Sequence, residues 1–148
     1  MSRQTASPII LETRTEQILA ADVLQIFAAA QWTKHRSADQ VQRMLAHTPH
    51  AVLAKMDGQP VGFARLVTDE VFRGFIEDVI VLPHLQKQDI GRRMVEALEA
   101  IARRLELPRV ELTTTQMAFW ERLGYVQKVG STYMVKSLRE RSGEWTAR

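Results

Sequence analysis

"VIVLPHLQKQDIGRRMVEALEAIARRL", Val79 to Leu105, opens as an apolar run, breaks at Pro83, crosses a polar loop holding one glycine and finishes as a basic amphipathic stretch. Proline supplies no ladder donor, so the strand that begins upstream ends there. Over 91–106 the spacing of Met94, Leu98, Ile101 and Leu105 predicts a helix, with Arg92, Arg93, Glu96, Glu99 and Arg103 on its wet side. Strand, loop and helix in that order aim backbone N–H groups and the positive end of a helix dipole at one point, where an anion fits. Lys87, Arg92 and Arg93 add cationic side chains around the same spot. The phosphate-loop spacing G-x-x-x-x-G-K-[ST] and the dinucleotide spacing G-x-G-x-x-G are both missing, which leaves a pyrophosphate-bearing ligand other than a conventional nucleotide cofactor.

Upstream of this stretch, "PIILETR" reads as a strand and "TEQILAADVLQIFAAAQW" as a helix with Ile18, Val23, Ile26 and Phe27 on one face and Thr15 as its cap. "SADQVQRMLAHTP" repeats the helical pattern, from Ser37 through inward Val41, Met44 and Leu45 to Pro49. The period then changes to two. "HAVLAKM" and "QPVGFARLV" flank Asp57-Gly58, a hairpin signal; "TDEV" is a second turn and "FRGFIEDVIVLP" a long strand. Downstream, "RVELTTT" predicts a strand free to run parallel to its predecessor, "QMAFWERLG" a short helix stopped at Gly124, and "YVQKVGSTYMVKSL" a hairpin across Gly130-Ser131. The expected order is β-α-α-β-β-β-α-β-α-β-β in a single domain over 1–148, with its core in 8–137 and a frayed tail over 138–148.

Composition excludes several classes of function. With 45% apolar and 25% charged residues the chain is of ordinary globular make-up, and no apolar run approaches the roughly 20 residues a bilayer span needs. The N-terminal "MSRQTASPIILETR" lacks the apolar centre of a secretory signal, so a cytoplasmic location is expected. Cysteine is absent, which removes disulfides, thiolate metal sites and a thiol nucleophile. Net charge is +3, from 20 basic against 17 acidic residues interleaved along the chain, and no helix-turn-helix or stacking-aromatic signature accompanies it. A solvated basic surface is the expected reading, without nucleic acid. His35, His47, His50 and His84 form no metal-ligand spacing, because Pro49 breaks the helix that would align His47 with His50.

Element order, the strand "EDVIVLP", the loop "QKQDIG", the helix "RRMVEALEAIARRL" and the later "FWERLGY" together resemble the GNAT superfamily of acetyl-CoA-dependent N-acyltransferases, over roughly residues 8–137. Within it, "VGFARLVTDEVFRGFIEDVIVLPHLQ" is similar to bacterial members of unassigned amine specificity and to the plastid serotonin acetyltransferase branch. The resemblance implies an α/β (α+β) GNAT fold, a mixed central sheet of about seven strands flanked by about four helices, with two parallel central strands splayed apart. It implies acetyl-CoA as co-substrate, a small-molecule amine as acceptor, no membrane partner, and it admits a homodimer. The family's loop pattern Gln/Arg-x-x-Gly-x-Gly/Ala falls on Gln86, Asp89 and Gly91, so Asp89 stands where glycine is usual.

The implied cofactor contacts are the backbone of Ile80, Val81 and Leu82 for the pantetheine arm, and Gln86, Lys87, Gln88, Asp89, Ile90, Gly91, Arg92 and Arg93 around the pyrophosphate. Thr115, with the neighbouring threonines, and Trp120 would line the opposite wall. Direct acetyl transfer needs an acceptor for the amine proton. Glu77 and Asp78 precede the cofactor strand and, by period two, face opposite sides of the sheet, so one of them enters the cleft. Asp78 is preferred as the base, Glu77 is the alternative, and pairing with Arg65 or Arg73 is the competing structural role of either. Tyr125 is the candidate acid, since Trp120 stands where family members carry tyrosine. Trp32 and Phe72 are candidate acceptor contacts, with core packing as the competing role of each. The departures at Asp89 and Trp120 support a second function, a non-catalytic acyl-CoA sensor.

Overall fold

The computed structural model of the chain describes residues 7–138, which fall into two compact units divided after Leu112. In the first unit β1 (Ile9–Glu12) leads to α1 (Ala20–Phe27) and α2 (Ala38–Ala46). β2 (His50–Met56), β3 (Gln59–Thr68), β4 (Gly74–Val81) and α3 (Ile90–Arg104) follow. The strands form one antiparallel sheet in the order β1-β2-β3-β4. The β2–β3 hairpin turns at Asp57 (φ 52) and Gly58 (φ 75), the paired left-handed conformation that a two-residue turn demands.

α1 and α2 cover one face of this sheet, where Val23, Ile26, Phe27, Val41 and Leu45 bury against Ala51, Leu53, Phe63 and Ile80. The Phe27 and Phe63 rings meet edge to face at 5.6 Å. α3 covers the other face, burying Met94, Val95, Leu98 and Ile101. At Gly62 on β3 a Cβ would lie 3.0 Å from Met94 Cε and 3.1 Å from the Ile80 carbonyl, so this close approach of helix to sheet requires glycine.

Local chemistry sets the helix ends. Ser37 and Gln40 make a reciprocal capping box at the start of α2. Thr15 does not cap α1: its hydroxyl donates to the Pro49 carbonyl (2.8 Å), Thr15–Gln17 form a 3₁₀ turn, and Ile18 and Leu19 are extended before the helix begins. α1 also stops earlier than its apolar spacing predicts. The buried Thr33 hydroxyl donates to the Phe27 carbonyl (2.8 Å) and takes up a helix-end acceptor.

The expected seven-stranded mixed sheet with splayed parallel central strands is not what forms among the described residues. After α3 the chain meets β4 at one parallel bridge, Phe75 with Glu111, through bonds from the Ile76 amide to the Glu111 carbonyl (2.9 Å) and from the Glu111 amide to the Gly74 carbonyl (2.8 Å). Beyond it Thr113, Thr114 and Thr115 are exposed, and a strand that buries neither face gains little from its ladder. The second unit contains α4 (Met117–Arg122), ended by left-handed Gly124 (φ 90) and a bond from the Tyr125 amide to the Trp120 carbonyl (3.1 Å). The hairpin expected across Gly130-Ser131 has no strands among the described residues; Val126, Val129, Met134 and Leu138 all face solvent. Of the expected tail, 139–148 lie outside the described residues.

Candidate active site

β4 carries the irregularity on which the site is built. Phe63 on β3 faces Ile80, yet Leu66 faces Ile76, so three steps on one strand span four on the other. The extra residue lies at Asp78-Val79 opposite Ala64, a β-bulge, and Asp78 takes the left-handed φ of 55. The bulge interrupts period two. Glu77 and Asp78 therefore do not divide between the faces as the sequence predicts; Asp78 contacts Arg65, and Glu77 is the cross-strand neighbour of that same arginine.

Asp78 is buried, its side chain 1% exposed. Its Oδ2 accepts from Arg65 Nε at 2.7 Å and from Arg36 Nη1 at 2.8 Å, while Oδ1 has no hydrogen-bond partner among the described residues. Pairing with Arg65, the structural role weighed for this carboxylate, is thus what the side chain does. Arg36 comes from the link between α1 and α2, 42 residues away, and its guanidinium lies 4.6 Å from the centre of the Phe27 ring. Glu77 is half-buried. Burial pushes its carboxyl above the ordinary carboxylate value, the Asp78 carboxylate pushes it further, and Arg65 and Arg36 oppose both.

On its other edge β4 is paired, within the first unit, at Glu111; farther along, the Gln86 side-chain amide donates to the Val81 carbonyl (3.3 Å). The Leu82 amide still donates inward to Val61 (2.9 Å). Past the Pro83–Leu85 3₁₀ turn, Lys87 and Gln88 are exposed and α3 begins without a side-chain cap. The amides of its first turn, at Ile90, Gly91 and Arg92, therefore remain for a ligand or water. Asp89 occupies the N-cap at φ 61, and its Oδ2 pairs with Arg92 Nη2 at 3.2 Å. Arg92 also donates to Glu96 (2.8 Å), and the two carboxylates raise its already high pKa, Asp89 most. Arg93 is turned elsewhere, its Nη2 donating to the Ile9 carbonyl of β1 (3.1 Å).

Trp32 is 60% exposed and Phe72 71%, so core packing is not the role of either. Phe72 is held on an ordered turn. Asp69 Oδ1 accepts from the amides of Arg73 (2.9 Å), Val71 (2.9 Å) and Phe72 (2.7 Å), and these bonds, Arg73's foremost, keep its carboxyl below the ordinary value. In the second unit Thr115 is exposed, and Trp120 is buried with its ring edge-on to Phe119 and to Tyr125, both at 5.1 Å. His47 Nδ1 lies 2.8 Å from the Arg43 carbonyl and His50 Nε2 lies 2.7 Å from Glu70. Among the described residues no helix is long and apolar enough to cross a membrane. Arg36 is the site residue the sequence reading missed, because nothing local marks a partner 42 positions from its carboxylate.

The uncapped start of α3 thus follows, across the Pro83–Leu85 turn, the strand that carries the half-buried Glu77. Residues 16–125 match the model of the family described as Acetyltransferase (GNAT) family. The chain belongs to that family. It is 43% identical over 68 residues to mouse (Mus musculus) N-alpha-acetyltransferase 80, a match covering 44% of this chain and 22% of that protein's length. A GNAT-family acetyltransferase from Streptococcus pneumoniae superposes with a TM-score of 0.74 at 27% identity, covering 90% of this chain and all (100%) of that one. An aminoglycoside N-acetyltransferase in complex with CoA shares the fold, with a TM-score of 0.74 at 12% identity over 91% of this chain and 99% of that one.

Proposed function

We infer that the chain transfers the acetyl group of acetyl-CoA directly to a primary amine of a small molecule. The observation that carries this reading is the junction of β4 with α3: a strand whose outer edge makes a single bridge, at Phe75, followed by first-turn amides that no side chain caps. A pantetheine arm is an amide-bearing chain that can add to such an edge, and a pyrophosphate suits the amides beyond it. Lys87 and Arg92 flank that point as cations, and Gly91 is buried there. Backbone groups released from the ladder at the Asp78 bulge supply donors for the carbonyl oxygen as charge builds on it.

Glu77 is the better proton acceptor of the two carboxylates. Asp78 Oδ2 is engaged by two guanidinium groups, whereas the Glu77 carboxyl is half-buried and its pKa is raised, by burial first, which makes it the stronger base. Trp32 and Phe72 are exposed aromatic contacts for the acceptor. The mouse relative's name favours a second acceptor class, the α-amine of a peptide.

The test is release of free CoA thiol from acetyl-CoA in the presence of small amines and short peptides with free N-termini. Release that depends on a small amine supports the proposal, and release with peptides alone moves the acceptor to the second class. Stoichiometric acetyl-CoA binding with no release from any acceptor makes the protein an acyl-CoA sensor.

A further inference from the structure

Three side chains from distant parts of the chain converge beside Glu77. Arg65 on β3 is its cross-strand neighbour, Asp78 follows it on β4, and Arg36 arrives from the link after α1. Both guanidinium groups meet on the single oxygen Asp78 Oδ2, at 2.7 and 2.8 Å. The cluster thus holds two positive charges and one negative, with the second carboxylate oxygen unpartnered. Arg65 and Arg36 side chains are 18% and 27% exposed, so solvent screens them only in part. Arg36 is held in place by Phe27, over whose ring it stacks, and by the hydrogen bond its backbone N–H donates to the Thr33 carbonyl (3.0 Å).

We propose that Arg36, Asp78 and Arg65 are positioning residues that set the charge felt by the Glu77 carboxyl and so the pH at which it accepts a proton. Asp78 is the local negative charge and the two arginines oppose it, so removing one member changes the balance with a sign peculiar to that member. Of the charged groups on the elements packed around this point, Asp22 of α1 pairs with Lys55 of β2, Asp39 with Arg43 on α2, and Arg73 with Glu111 beyond the start of β4, while Lys34 and His35 on the Arg36 link are exposed. This is the property that separates electrostatic positioning from scaffolding. Arg36→Gln and Asp78→Asn break the same ion pair, yet the first removes a cation and the second an anion. A purely structural pair gives both variants the same phenotype.

The inference rests on Glu77 as the proton acceptor, and the experiment reads the two apart. The full chain is labelled with ¹³C at glutamate side-chain carboxyls, the Glu77 signal is assigned through Glu77→Gln, and its titration is followed by NMR alongside the pH profile of kcat/KM. Arg36→Gln should raise the Glu77 midpoint by about half a pH unit or more, Arg36→Lys should keep it near that of the parent, and Asp78→Asn should lower it. If Asp78→Asn does not fold, Arg36→Gln against Arg36→Lys decides alone. Shifts of the same sign in Arg36→Gln and Asp78→Asn, or no shift in Arg36→Gln, overturn the inference. Opposite NMR shifts that the acid limb of kcat/KM does not follow leave the cluster as proposed and remove Glu77 from the proton-accepting role.

Discussion

Asp89 Oδ2 lies 3.2 Å from Arg92 Nη2 across the first turn of α3, and Asp89 itself holds the left-handed φ of 61. A side chain that neither caps the helix nor points into a core is a dispensable anion beside the amides proposed to hold a pyrophosphate. Asp89→Asn and Asp89→Gly are expected to tighten acetyl-CoA binding by about two- to five-fold at low salt, with the gain shrinking as ionic strength rises. Neither should lower the melting temperature, since no capping bond is lost. Calorimetric titration at two salt concentrations and a thermal melt check both statements.

Lys87 and Arg92 provide the cations at the same place. Lys87→Ala and Arg92→Ala should each weaken acetyl-CoA by about ten-fold, because charge-assisted bonds to phosphate are lost, and leave KM for the amine nearly unchanged. Equal effects on the two substrates in initial-rate kinetics would move the pyrophosphate away from this loop.

Glu77→Gln is expected to lower kcat/KM by about 10²–10⁴ and to flatten the acid limb of its pH profile. The stability consequence has a definite sign. A carboxyl whose pKa is raised in the folded state binds its proton more tightly there than in the unfolded chain. Folding stability therefore falls as pH rises from the ordinary glutamate range through the Glu77 value. Denaturant titrations across this window should show the decline in the parent and a smaller one in Glu77→Gln.

Gly62→Ala places a methyl group 3.0 Å from Met94 Cε and 3.1 Å from the Ile80 carbonyl. The side chain can yield but the β4 backbone cannot. A loss of about 1–3 kcal/mol is expected, relieved in part by Met94→Ala in the same chain, so the two substitutions should be non-additive in chemical denaturation.

Trp32→Ala and Phe72→Ala remove exposed aromatic surface and should change stability by no more than about 0.5 kcal/mol. KM for the acceptor amine should rise in each while that for acetyl-CoA stays put. A melt and a pair of saturation curves suffice.

Much of the fold is legible wherever a local rule has no competitor. Ser37 with Gln40 announces the start of α2, Asp57-Gly58 the β2–β3 turn, and Met94, Leu98 and Ile101 the buried stripe of α3. The same rules mislead where a distant group intervenes. Thr15 has the chemistry of a cap, but its hydroxyl reaches Pro49 instead. The alternating pattern of "RVELTTT" reads as a strand, yet only Glu111 pairs with β4, because the threonines after it bury nothing.

The sequence by itself determined the antiparallel β2–β3–β4 succession, the break at Pro83 and the helix that begins beside Asp89, since turn chemistry, proline and side-chain period act over a few residues. It carried the cationic loop for the same reason. Only the tertiary structure decided what Glu77 and Asp78 are near. One extra residue on β4 overrides the period that would separate them, and the partner that occupies Asp78 stands 42 residues upstream. A bulge is a mismatch between two strands, and an ion pair between a link and a strand is a product of packing. Neither exists in the chain until α1 has closed on the sheet and brought Phe27, with Arg36 stacked on it, over β3 and β4.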